Sequence, residues 1–329
     1  MPIPRKLTLS RLATIYKRQD KPSWGSDYVP SILAVRGEAP AISNAYATKS
    51  VRFGRFIHLL SGPEQSAFLL AAHHPGLVGI QEQRMLSPEP RCHPLTDMPG
   101  EVPARLKPFK GVIDVADRLG CLARLPKLKA PVPRMPGIKV DVIFPYIGDL
   151  LFAIKDSSGS ARCVNWSIKA NEAGFKRPIE KSKWNIAEPA ENILMRHEIE
   201  RTYYADAGIH THFVASSAFD THLINNLRLL YRYAQEPLDI CEDERRDMES
   251  RFQSCLAAGL PLSELLPRLV RQGVDAVHVA LTCFYQSIWQ RRLRVDLFRP
   301  ILVDRPLHPE GRDVLDVYAK LFREGGVCI

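Results

Sequence analysis

Hydrophobic and polar positions along this chain switch between two periods, and the switches mark its elements. Residues 64–74 (Glu-Gln-Ser-Ala-Phe-Leu-Leu-Ala-Ala-His-His) form an apolar run with Ser61 placed to cap it and Pro75-Gly76 to stop it, which predicts a helix. Residues 77–86 read as a strand with Val78 and Ile80 on one face. Ten prolines then fall between positions 88 and 136, so that stretch is expected to be loop with one short helix at 112–119. A segment of that length inside a domain points to a functional insertion rather than scaffold.

Period-two alternation returns at 138–145 (Ile-Lys-Val-Asp-Val-Ile-Phe-Pro) and predicts the first strand of a meander. Strands at 150–155 and 162–168, joined by Asp-Ser-Ser-Gly-Ser, predict a hairpin. Residues 179–205 are amphipathic and mostly helical, interrupted or restarted at Pro189; a strand at 209–216 and a helix at 221–235 follow. The expected architecture is α/β, a mixed sheet flanked by helices, spanning 51–237. Residues 238–329 carry helical patterns at 242–257, 262–271 and 275–292, then a short β pattern at 294–303. Helices followed by a β wing fit a smaller winged-helix-like C-terminal domain, and an ordinary helical subdomain fits as well.

Composition narrows the function classes. At 329 residues and 45% hydrophobic, the chain can hold two modest cores. No apolar run approaches the roughly 20 residues of a membrane-spanning helix, and no secretory leader is visible, so a cytoplasmic protein is expected. Seven cysteines without a Cys-x-x-Cys pair read as free thiols, Cys92-His93 with Cys121 being the exception that could furnish part of a metal site. His210 and His212, at alternate strand positions, could chelate but read better as surface histidines, and Trp166 and Trp184 read as core. A formal charge of +9 favours polyanionic partners. Residues 1–50 carry Arg5, Lys6, Arg11, Lys17, Arg18 and Lys21 near Tyr16 and Trp24, suited to a DNA-contacting arm or to a solvated tail. The chain has neither a Gly-rich phosphate loop nor a nucleophile elbow, which argues against a small-molecule enzyme.

The candidate chemistry rests on Glu64, Asp141 and Lys169. Phosphodiester hydrolysis needs a divalent cation on the phosphate and a water in line with the scissile bond. Mg²⁺ prefers carboxylate and water oxygens, so two acids on adjoining elements with a lysine beside the water suit that reaction. Each residue also has a plainer reading: a first-turn acid for Glu64, a structural ion pair for Asp141, a solvated strand-end amine for Lys169.

Longer segments carry a resemblance. His58-Leu-Leu-Ser-Gly-Pro-Glu64, running on to Val78-Gly-Ile-Gln-Glu-Gln83, resembles the opening of TnsA-type endonucleases, the cleavage subunits of heteromeric TnsABC-type transposases. Lys139-Val-Asp141-Val-Ile and Val164-Asn-Trp-Ser-Ile-Lys169 resemble that family's strand-borne aspartate and lysine, and Glu200-Arg-Thr-Tyr-Tyr resembles its later Glu-x-x-Tyr-Trp segment. The resemblance implies a restriction-endonuclease-like fold with Mg²⁺ (Mn²⁺ substituting) held by Glu64, Asp141 and the Ile168 carbonyl, and Lys169 serving the attacking water. It implies cutting of the non-transferred 5′ strand at transposon ends in double-stranded DNA, beside a TnsB-like transposase and a TnsC-like AAA+ ATPase. The region from about residue 240 would supply partner contacts, while Arg291, Arg292 and Arg294 could touch DNA. Ser167 departs from the family, which has Gln or Glu there; Glu82 is the candidate substitute ligand, with Gln83 beside it. A stand-alone repair or junction-resolving nuclease and an inactive DNA-binding adaptor are the alternatives.

Overall fold

The computed structural model describes residues 7–40, 44–100, 102, 105–133, 135, 137–156, 158–176, 190–265 and 274–323. The chain divides into two compact units: Met1–Ala67 with Gly76–Ser217 and Phe322–Ile329, and Phe68–Pro75 with Ala218–Leu321. The division falls after Ser217 rather than near residue 237, so the helix expected to close the first domain belongs to the second unit.

The first unit is mixed α/β. Its N-terminal stretch, from Leu7 on, packs rather than trailing. Helix α1 (Leu9–Gln19) is capped by the Thr8 hydroxyl, which accepts from Arg11 N, and buries Leu12, Ile15 and Gln19. Strands β1 (Tyr46–Ser50) and β2 (Arg55–Leu59) form a hairpin, followed by α2 (Gly62–Ala72). The expected strand at 77–86 is two strands, β3 (Leu77–Glu82) and β4 (Met85–Leu86), broken at Gln83 where φ is +51°.

The principal sheet has the order β10-β9-β8-β3, with β8 (Leu150–Lys155), β9 (Ala161–Lys169) and β10 (His210–Ala215). β3, β8 and β9 pair antiparallel, and β10 runs parallel to β9. The predicted β8–β9 hairpin is present, with its turn tied by Asp156 Oδ1 accepting from Ser158 N and Ser160 N. A parallel partner needs a crossover, which α4 (Ala190–Asp206) supplies. The first part of the helix predicted at 179–205, with Trp184, lies outside the described residues.

Alternation along β9 places Val164, Trp166 and Ile168 on one face and Asn165, Ser167 and Lys169 on the other. Trp166 meets Phe152 edge-on at 4.9 Å and is fully buried, as expected for a core residue. Toward α4, Leu151, Ala153 and Cys163 join Ile199, Tyr203, Tyr204, Phe109, Val112, Val115 and Ala116 in one core. Most of the proline-rich stretch is thus a layer of that core, not a detached insertion. Phe109 stacks on Tyr203 at 4.4 Å, and the helix expected near 112–119 is α3 (Val112–Arg118). Proline scarcity of N–H donors lowers the cost of burying irregular backbone, and the Arg91–Phe109 bridge satisfies part of the rest.

The strand at 138–145 exists as β6 (Lys139–Ile143), but its predicted place in the principal sheet is corrected. β6 pairs instead with an unforeseen strand, β5 (Lys127–Pro131), as a separate two-stranded ribbon. Phe144 and Ile147 pack with Leu12, Ile15 and Ile32, and β7 (Tyr146–Ile147) pairs with β4 before β8 begins. That packing redirects the chain between β6 and β8.

The second unit is helical: α5 (Thr221–Ala234), α6 (Glu242–Ala257) and α7 (Val274–Trp289), with Phe252, Phe284 and Tyr231 buried. Of the helix expected at 262–271, a 3₁₀ turn at Leu262–Glu264 is described, and 266–273 lie outside the described residues. The β wing expected at 294–303 is corrected: among the described residues after 238, β structure is limited to the Pro261–Pro306 and Val295–Pro309 bridges. Asn226 holds that segment instead, donating to Leu297 O and Arg299 O and accepting from Ile301 N. The arginines there are also committed. Arg291 and Arg294 pair with Asp313, and Arg292 with Glu249. No helix of the described residues is long and apolar enough to cross a membrane.

Candidate functional site: a buried acid pair at the sheet edge

At the end of the principal sheet where β3 stops, β8 starts and β9 ends, three polar side chains converge. Glu64, in the first turn of α2, is 6% exposed. Its Oε2 accepts from Leu60 N (2.8 Å) and from Gln83 Nε2 (2.8 Å), and its Oε1 from the Ser61 hydroxyl (2.9 Å). Ser61 is the expected cap, accepting from Glu64 N at 3.3 Å. Asp149, 2% exposed, immediately precedes β8. Its Oδ2 accepts from Ile168 N at 2.7 Å, and its backbone carbonyl from Gln83 N at 3.0 Å. Lys169 closes β9 and donates from Nζ to the Ile168 carbonyl at 3.1 Å. One hydrogen-bonded path therefore runs Glu64, Gln83, Asp149, Ile168, Lys169.

The electrostatics involve the same residues. Burial, then the Asp149 charge, pushes the Glu64 carboxyl from 4.5 up to about 7, while Lys169 pulls it down. Glu200 on α4, fully buried, has its carboxyl raised by burial and by Asp149 as well. Asn165 Nδ2 donates to Glu200 Oε1 at 3.2 Å and lies as close to the Thr211 hydroxyl. Gly174 lets the chain after β9 pass over Lys169: a Cβ there would meet Lys169 Cβ at 3.2 Å.

Of the candidate residues, Glu64, Gln83, Ile168 and Lys169 lie along this path, and Ser167 sits between Trp166 and Ile168 on β9 with its hydroxyl buried and without a hydrogen-bond partner. Asp141 is not on the path. It lies exposed on the β5–β6 ribbon opposite Lys129, outside the sheet that carries Lys169. The aspartate at the sheet edge is Asp149. Its sequence signal was present, an acid at the head of the wholly apolar Leu-Leu-Phe-Ala-Ile strand, but Gly148-Asp149 reads as a turn. Glu82 is likewise corrected as a substitute ligand. Both its oxygens hold Arg55, at 2.6 and 2.8 Å, and it also accepts from His58 N. Cys92 is exposed, and His93 Nδ1 accepts from Leu95 N, so that pair serves a turn. His212 Nε2 is engaged with Arg323 O at 3.1 Å.

Among the described residues no group of three or more His, Cys, Asp or Glu could hold a metal ion. The set at the sheet edge is of another kind: two carboxylates plus neutral oxygens. Gln83 Oε1 is buried without a hydrogen-bond partner, and the Ile168 carbonyl stands beside Lys169. Two clustered acids whose charge raises one of them, with an orphaned amide oxygen adjacent, fit a hard divalent cation that keeps part of its water shell. Ser167 is fully buried at the position where the acid or amide was expected.

The shifted Glu64 gives a test of the pair itself. Between about pH 4.5 and 7 this carboxyl is protonated in the fold and ionised in the unfolded chain. The folded state then binds more protons, so its contribution to stability falls as pH rises through that window. In urea unfolding without divalent ions, Glu64→Gln should gain on the wild type steadily from pH 4.5 to 7. A difference that stays constant over that range would mean the carboxyl is ionised throughout.

Comparison with models of known protein families gives no match, and comparison with curated proteins gives no significant match.

Proposed function

We propose that this chain is a metal-dependent DNA endonuclease of the restriction-endonuclease-like kind, with Glu64, Asp149 and Lys169 as its centre. The observation that carries the reading is the joining of two buried acids, from a helix and a strand start, to a strand-end lysine through one hydrogen-bonded path. The ordered resemblance of residues 58–83, 164–169 and 200–209 to TnsA-type subunits supports the same reading, as does the +9 charge.

Glu64, Asp149, the Ile168 carbonyl and Gln83 Oε1 are the oxygens that would hold Mg²⁺ or Mn²⁺. When bound, the cation supplies charge neutralisation on the phosphate and a more acidic water. Lys169 orients the attacking water and stabilises charge developing on the phosphate. The water oxygen forms the new P–O bond, one nucleoside oxygen leaves, and the water's proton passes to solvent or to that oxygen. Glu200, its carboxyl raised by burial, positions β9 through Asn165 rather than meeting the phosphate.

In a cell, the reading places the chain at the 5′ strands of transposon ends, beside a TnsB-like transposase and a TnsC-like ATPase, with the helical second unit making partner contacts. The test is nicking of end-containing DNA with Mg²⁺, first with the chain alone and then with transposase and ATPase. Lys169→Ala should lose about 10²-fold or more, the range for one electrostatic group at a reacting phosphate, and Ser167→Ala much less. Cutting without partners would favour a stand-alone nuclease. No metal-dependent cutting in the full assembly would leave the adaptor reading.

A further inference from the structure

The β5–β6 ribbon takes no part in the centre, yet it is built from it outward. β6 ends at Ile143, and Asp149 follows after Phe144, Pro145, the two residues of β7 and Gly148. The ribbon's root is anchored: Phe144 N donates to Pro126 O at 2.8 Å, and Leu128 and Val142 pack against the cluster of Leu12, Ile15 and Phe144. Register then sets which side chains leave the molecule. Lys127 pairs with Ile143, Lys129 with Asp141 and Pro131 with Lys139, so Lys127, Lys129, Lys139 and Asp141 share the face opposite Leu128 and Val142. All three lysines are exposed. None of them forms an ion pair with Asp141 among the described residues, although Lys129 is directly across from it.

The far end has different chemistry. Val132 N donates to Ile138 O, Met135 N to Val132 O and Ile138 N to Met135 O, closing a compact tip. Met135 is 55% exposed, Ile138 51% and Val140 48%, and Pro131 and Pro133 stiffen the approach. Met135, Ile138 and Val140 are three large apolar side chains gathered toward one end of a lysine-flanked ribbon and left uncovered among the described residues.

We propose that this ribbon is a DNA-gripping arm: its lysine face lies along the phosphates and Met135 and Ile138 at its far end wedge into the minor groove. The inference rests on the nuclease reading for the identity of the polyanion. Charge complementarity favours DNA over a protein partner, three exposed amines to one carboxylate on the outward face. Apolar side chains inserted from the minor groove unstack a base step and bend the duplex, which needs only the tip of the ribbon to enter the groove. Because the ribbon leads directly into Asp149, an arm seated on DNA also sets where the duplex meets the acid pair.

The test uses the full chain and a fluorescent duplex, with no divalent ion, so that binding is read apart from cutting. Lys127→Ala/Lys129→Ala/Lys139→Ala should weaken binding about tenfold or more near physiological salt and flatten the log–log salt dependence by about one for each lysine lost. Met135→Ala/Ile138→Ala should leave that slope unchanged and reduce duplex bending, read by energy transfer between the DNA ends. All five positions are exposed, and circular dichroism melts matching the wild type's would show that folding is intact. Unchanged affinity and slope in the triple variant would overturn the arm. So would tip variants that alter self-association in sedimentation while DNA bending stays as in the wild type, which would make a second protein the occupant. A wild type that binds in this way yet never cuts would leave the arm standing and remove the nuclease reading.

Discussion

Asp149→Asn should abolish metal-dependent strand cleavage, with a loss of about 10³-fold or more, while Asp141→Ala stays within about twofold of the wild type. The asparagine retains a side-chain oxygen for Ile168 N, so the end of β9 keeps its hydrogen bond and the fold keeps its stability. What it loses is one of two negative charges. Binding of Mn²⁺, followed by electron paramagnetic resonance, should weaken in parallel with cleavage. Asp141, exposed across from Lys129 on the ribbon, has no comparable role. Retained cleavage in Asp149→Asn, or a loss confined to Asp141→Ala, would move the centre elsewhere.

Arg55→Ala should destabilise the first unit by about 3–5 kcal/mol, the cost of leaving a buried charge without its partner. Glu82 is completely buried and Arg55 nearly so, joined by two hydrogen bonds, with the guanidinium 4.8 Å over the Tyr28 ring. Arg55 Nη2 also donates to Ile80 O and thereby ties the β1–β2 hairpin to β3. The urea midpoint of this unit should fall accordingly, and Arg55→Met/Glu82→Leu should recover most of the loss because no charge is then stranded. A drop of less than about 1 kcal/mol, the range of an exposed pair, would mean that water reaches the pair. The same ion pair explains why Glu82 is a poor metal ligand: its oxygens are already matched.

Several elements were legible along the chain because their causes are local. Ser61 capping α2, the Asp156–Ser160 turn between β8 and β9, and the boundaries of α5 and α6 follow from capping, turn chemistry and period. Glu64 and Lys169 each sit at the end of an element recognisable by pattern, but it was the resemblance of the longer segments that made them site candidates. Asp141 misled for a physical reason. Alternation shows that a residue is on a strand but not which strand pairs with it, and an acid among valines looks the same on an exposed ribbon as at a sheet edge. Asp149 was overlooked because Gly148 before it mimics a turn, although the backbone there is held by Gln83 and Arg84 across the sheet.

From residue order alone came a helix-opening acid, a hairpin ending in lysine and a basic, proline-interrupted chain of mixed α/β character. Partnership came from packing. Phe144 and Ile147, buried against α1, turn the chain away after β6, so β6 stays out of the sheet and Asp149 rather than Asp141 stands at its edge on the path to Glu64. Which acids share a site depends on contacts between distant segments, and those form only where burial of apolar side chains outweighs the entropy of bringing the segments together.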